Sequence, residues 1–138
     1  MDLSNLTASK TAVITLKHPV TGETLYCDDE QKEPMTWEVL AKHTSEFKKL
    51  ASNMAKATKK KFGSKKLSEL DEDELVEFND MLTQLTIDTT TNITVFIDGK
   101  KPKFSRGLAE SILSDEQYFW IKDQVTVGAN DTVNFIKS

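Results

Sequence analysis

Ile93-Thr94-Val95-Phe96-Ile97-Asp98-Gly99-Lys100 is the stretch on which the fold of this chain turns. Its β-branched and aromatic residues read as a short strand over residues 93–97. Asp98-Gly99 then supplies the pair that a tight hairpin turn demands, because both central residues must take positive φ. Pro102 keeps the next residues extended. Downstream, Ser105 stands where a helix start needs a side-chain oxygen, ahead of Leu108, Ala109, Ile112 and Leu113. Ser114-x-x-Gln117 reads as a capping box for a last helix presenting Tyr118, Ile121 and Val125, with Gly128 stopping it. Asp131 to Ile136 is expected to add a final turn that packs Val133, Phe135 and Ile136.

Working back toward the start, residues 1–10 are small and polar and read as a flexible arm. Thr11 to Leu16 is strand-like, with Ala12, Ile14 and Leu16 on one face and Val13, Thr15 and Lys17 on the other. His18-Pro19-Val20-Thr21-Gly22-Glu23 has turn chemistry, so Thr24 to Cys27 is expected to return as the second strand of a hairpin. Met35 to Ala41 alternates at first and favours a third short strand, although Trp37, Leu40 and Ala41 would also fit one helical face.

Thr44 or Ser45 can cap a helix whose stripe is Phe47, Leu50, Ala51, Met54 and Thr58 and whose end is Phe62-Gly63. A second helix is expected from Ser68, with Ser68-x-x-Asp71 as its capping box and Leu75, Phe78, Leu82 and Leu85 as its stripe. Its β-branched run at Thr89-Thr90-Thr91 should end it. The whole predicts one α+β domain, mainly helical, with a small N-terminal β-hairpin or sheet (residues 11–42) and about four helices (residues 43–138).

At 138 residues the chain can bury one modest core. Its 38% hydrophobic and 29% charged residues are those of a polar globular protein, with no apolar run near the ~20 residues that span a bilayer. The opening residues lack the basic and apolar regions of a signal peptide. Cys27 is the single cysteine, which rules out an internal disulfide and fits a reducing compartment. The expected location is the cytoplasm.

Charge is segregated. Between Lys48 and Lys66 every charged residue is a lysine, Lys59, Lys60 and Lys61 among them; from Glu69 to Asp80 every one is acidic. A lysine stripe can track phosphates. This one contains no arginine, has only Phe62 for stacking, and belongs to a chain of formal net charge -4. It reads as one of two solvated helix faces that attract each other, and nucleic acid is not the expected partner. The acidic cluster lacks the ligand spacing and turn glycine of a calcium loop, so it reads as a helix start facing the positive end of the dipole.

His18 and His43 have no metal-ligand spacing, and no phosphate loop or nucleophile elbow occurs. No catalytic residue, metal ligand or cofactor site is therefore assigned, and an enzyme is not expected. Of the aromatics, Trp120 lies off the stripe of Tyr118, Ile121 and Val125, so it is the one expected at a contact surface. Trp120, Lys59, Lys60 and Lys61 are the candidate partner-binding residues.

In its order of elements the chain resembles the tail assembly chaperones of long, non-contractile-tailed, lambda-like bacteriophages. The turn His18 to Glu23, the strand leading into Thr44-Ser45-Glu46-Phe47, and Ile93 to Lys103 with Asp98-Gly99-Lys100 carry this resemblance. So do Phe104-Ser105 and the ending Trp120 to Val125 followed by Asp131 to Ile136. One departure is Thr91-Asn92-Ile93, where many relatives carry a Trp just before the Asp-Gly strand. The resemblance implies a non-enzymatic late protein that binds the tape measure protein and the major tail tube protein in the host bacterial cytoplasm. It also implies absence from the mature virion, possible self-association and, commonly, a longer frameshifted product. It fixes no binding residues on this chain. The alternative reading is a minor structural or connector protein of the virion.

Overall fold

A computed structural model describes residues 2–136; Met1 of the expected arm and the last two residues of the helical part lie outside the described residues. Among these, four helices and a three-stranded antiparallel sheet form an α+β fold. The strands are β1 (Thr11–Thr15), β2 (Thr36–Leu40) and β3 (Thr90–Thr94), paired in the order β1-β2-β3. The helices are α1 (Ser45–Phe62), α2 (Glu72–Thr89), α3 (Arg106–Leu113) and α4 (Phe119–Asn130).

One face of the sheet is buried, as the two-residue period requires. Ile14, Trp37 and Ile93 stand opposite one another across the three strands, and Ala12, Val39 and Thr90 form the next row. The opposite row of Val13, Glu38 and Asn92 is not buried. Trp37 is fully buried, and its indole Nε1–H donates to Thr90 Oγ1 at 2.9 Å, satisfying the one polar atom that burial would otherwise strand. α4 lies against β1, α3 against α2, α4 and β3, and Ile112, Leu113, Ile121 and Val125 close the core.

The return strand is not the one expected. β1 pairs with β2, and residues 16–35 form an excursion between them. Thr24 to Cys27 makes only isolated bridges, Lys17 to Thr24 on one side and Tyr26 to Pro34 on the other. Leu25 shows why: its N–H donates to the Leu16 carbonyl, its own carbonyl accepts from Met35 N–H, and Leu16 N–H donates to the Met35 carbonyl. The segment is shared between two neighbours, so neither ladder extends. His18 serves its turn as expected, its Nδ1 accepting from the backbone N–H groups of Val20 and Thr21 at 3.1 and 3.2 Å.

β3 starts three residues before the expected strand, directly from the end of α2. The register shifts between Glu38 and Val39, which face Asn92 and Thr90, so Thr91 is an extra residue in a β-bulge. The bulge lets Thr90 and Ile93, an odd number of residues apart, face the same core. The Asp98-Gly99 turn has φ of 52° and 76°, the type I′ geometry, and Ile97 and Lys100 exchange both backbone hydrogen bonds across it.

Helix ends follow local chemistry, with three corrections. Thr44 caps α1 by accepting from Phe47 N–H, and Gly63 ends it with φ 64°. Ser105 caps α3 by accepting from Leu108 N–H. α2, however, is opened by Asp71 and Glu74, a reciprocal capping box, while Ser68 lies in a preceding 3-10 turn. Asp115 rather than Ser114 caps the turn before α4, accepting from Gln117 N–H. Gly128 does not stop α4. The helix runs on to Asn130, and Gly128 is there because a Cβ would sit 2.6 Å from Ile14 Cγ1 and 2.9 Å from Cγ2. A side chain at this point would hold α4 off the sheet.

Val133 is exposed, not packed, whereas Phe135 rests against the core and stacks at a tilt on His43, ring centroids 5.8 Å apart. The Phe135 carbonyl accepts from Ser9 N–H at 2.7 Å, and Ala8 bridges Ile136, so the C-terminal turn holds the base of the N-terminal arm.

Candidate functional site

Two surfaces gather the residues singled out by sequence, and they share no lining residue. The first is an open cleft of about 340 Å³ where the excursion, the end of β3 and the α3/α4 corner meet. Leu25 and Met35 come from the excursion, Phe96 and Ile97 from beyond β3, and Tyr118 and Trp120 from the start of α4. Trp120 is half-buried and meets Tyr118 edge to face, ring centroids 6.5 Å apart. That contact fixes the indole as one wall of the cleft. Phe96 is 46% exposed, and His18 and Pro19 edge the opening. The wall is almost wholly apolar; the ionisable side chains along it are the Tyr118 phenol and His18, whose Nδ1 is already engaged by its turn.

The second surface is the helical hairpin of α1 and α2. Its two charge blocks meet as expected: Lys61 Nζ lies 3.4 Å from Glu77, and Lys65 Nζ 3.2 Å from Glu74. Both pairs lie at the surface, with Glu74 partly covered, so each contributes about 1 kcal/mol or less and serves mainly to align the helices. Phe62 packs edge to face on Phe78 near the hairpin tip. The groove between the helices is lined by Leu50, Met54, Ala57, Met81 and Leu85 and holds about 440 Å³. Lys61 sits in this groove, Lys59 borders a shallower hollow on the other side beside Gly63 and Phe78, and Lys60 is exposed. The three lysines thus face different ways and do not form one binding patch with Trp120.

Cys27 is partly buried, and burial first, then the Glu33 carboxylate, push its thiol above the ordinary range. Glu33 in turn pairs with Lys101 at 2.6 Å and holds that ammonium above the usual lysine range. Among the described residues no three His, Cys, Asp or Glu side chains gather as a metal site would require, and no helix is long and apolar enough to cross a membrane.

Phe96, Leu25 and Met35 escaped the sequence reading. Phe96 carried a signal: within the alternation Val95-Phe96-Ile97 it occupies the outward position, where a large aromatic has no core to fill. Leu25 and Met35 carried none, because their convergence depends on the excursion. Compared with known proteins, the chain matches no family model, no curated sequence and no solved structure.

Proposed function

We propose that this chain is a non-enzymatic assembly chaperone of the phage tail type, which binds the tape measure protein and the tail tube protein in the host cytoplasm and leaves before the particle is complete. The open apolar cleft walled by Phe96, Tyr118 and Trp120 is the observation that carries this reading. Contiguous apolar concavities with aromatic walls and a polar rim are characteristic of protein contact sites. A long helical protein awaiting polymerisation exposes apolar stripes, and inserting one large side chain of such a stripe here would keep it soluble. The resemblance in element order supplies the biological setting.

Two experiments test the proposal. Mass spectrometry of purified particles should find the tail tube and tape measure proteins without this chain. Stoichiometric recovery of the chain would make it a structural part instead. Titration of the isolated tape measure protein should show saturable binding that a Phe96→Lys variant loses, and equal binding by that variant would remove the cleft from the account.

A further inference from the structure

The α1/α2 groove has a feature that the proposed function does not use: its two banks carry opposite charge at matching spacing. Along α1, Lys49, Asn53, Lys56 and Lys60 recur at i, i+4, i+7 and i+11, one ridge of the helix. Along α2, Asp73, Glu77, Asp80 and Gln84 recur at the same intervals. Asn53, Glu77, Asp80 and Gln84 line the groove, which places these ridges on its two sides. Between them runs the apolar floor of Leu50, Met54, Ala57, Met81 and Leu85. Among the described residues Lys49, Lys56, Lys60, Asp73 and Asp80 enter no ion pair. Both ridges are exposed, and only the far end of the groove is closed, where Arg106 of α3 pairs with Asp88 and donates to Gln84 Oε1.

We propose that this face pairs with the same face of a second copy, about a two-fold axis running along the hairpin, to form a four-helix layer. Charge complementarity selects both the occupant and the axis. A two-fold along the hairpin sets α1 of one copy over α2 of the other, basic bank on acidic bank, twice. A two-fold across the hairpin would set lysines on lysines. The Lys61–Glu77 bridge fixes the levels of the two helices. Lys60 of one copy therefore meets Glu77 and Asp80 of the second copy, and Lys56 meets Asp80.

Each helix is ~27 Å long and the pair ~20 Å wide, so the face is ~540 Å² per copy and ~1,100 Å² for the pair. That lies just below the ~1,200–2,000 Å² of stable interfaces, so the dimer should be reversible with a dissociation constant in the micromolar range.

Sedimentation velocity on the whole chain tests this. At low salt the wild type should pass from monomer to dimer across the micromolar range, and raising salt to about 0.5 M should weaken the dimer roughly tenfold or more. Lys56→Glu with Lys60→Glu makes both banks acidic, and Asp73→Lys with Asp80→Lys makes both basic. Each double variant alone should remain monomeric, while an equimolar mixture should restore a dimer. All four positions are exposed, and circular dichroism verifies that the variants fold. Should either fail to fold, carbodiimide crosslinking of mixed isotope-labelled wild-type chains gives the second readout, a Lys60–Asp80 link between copies. A wild type that stays monomeric at about 200 µM in low salt overturns the proposal, leaving the groove to another chain. So does a mixture that does not associate, or the absence of that crosslink between labelled and unlabelled chains.

Discussion

Replacing Gly128 by alanine would test how α4 is seated on the sheet. The added Cβ would lie 2.6 Å from Ile14 Cγ1 and 2.9 Å from Cγ2, against a relaxed carbon–carbon separation of about 3.5–4.0 Å. Turning Ile14 about χ1 gives no escape, since every staggered rotamer leaves at least one γ-carbon toward Gly128. Ile14 is itself 5% exposed and hemmed in beside Trp37, so the helix must lift away from β1. Overpacking costs about 1–3 kcal/mol, and two contacts under 3 Å with a buried side chain place this one in the upper part of that range, about 2–3 kcal/mol. Alanine returns up to ~1 kcal/mol of helix propensity. The net loss should be about 1–2 kcal/mol, a fall in Tm of roughly 3–8 °C.

Urea unfolding followed by circular dichroism reads this directly, and a double-mutant cycle identifies the cause. Ile14→Ala alone should cost about 2–5 kcal/mol, and in the Gly128→Ala background at least ~1 kcal/mol less, because the new methyl occupies vacated volume. A Gly128→Ala protein as stable as the parent, with the two effects additive within about 0.3 kcal/mol, would refute the packing argument.

Other perturbations probe separate parts of the fold. Thr90→Val keeps the shape but leaves the buried Trp37 indole N–H without an acceptor, and should lower urea stability by about 1–3 kcal/mol. Thr44→Ala removes the α1 cap and should cost ~1 kcal/mol, with faster hydrogen exchange confined to the first turn of α1, and Thr44→Ser should restore both. Cys27 reports on its neighbours through maleimide labelling near pH 8. Glu33→Gln removes the carboxylate that raises the thiol pKa, so more thiolate is present and labelling should run roughly two- to fivefold faster. Lys101→Met removes a cation that lowers the same pKa and should slow it.

What the sequence disclosed was local chemistry. Thr44, Gly63, Ser105 and the Asp98-Gly99 turn were each readable because the residue type answers a backbone need within four residues of itself. The inward set of β1 was readable for the same reason, and so was the end of α2 at its threonines. Partnerships across distance were not. Thr24 to Cys27 has the composition of a return strand, and nothing nearby reveals that Leu25 is divided between Leu16 and Met35. Gly128 resembles a helix stop, and only the approach of Ile14, far away in sequence, makes it an interior residue. The bulge at Thr91 broke the alternation from which the strand at residues 93–97 was read, displacing its expected start. At the candidate site the partial exposure of Trp120 was legible from its helical phase, while the rest of its cleft comes from segments that only folding brings together. The lysines were visible as a block, but how they divide among groove, hollow and solvent depends on how α1 lies against α2.

The most direct test of the central claim, that this chain acts by covering an apolar surface on a tail protein, is the solubility of the tape measure protein encoded in the same genome. That protein would be expressed alone, with this chain, and with the Phe96→Lys variant, and its soluble fraction measured at equal expression. The account predicts a soluble tape measure protein only with the unaltered chain. Equal solubility in all three cultures would contradict it.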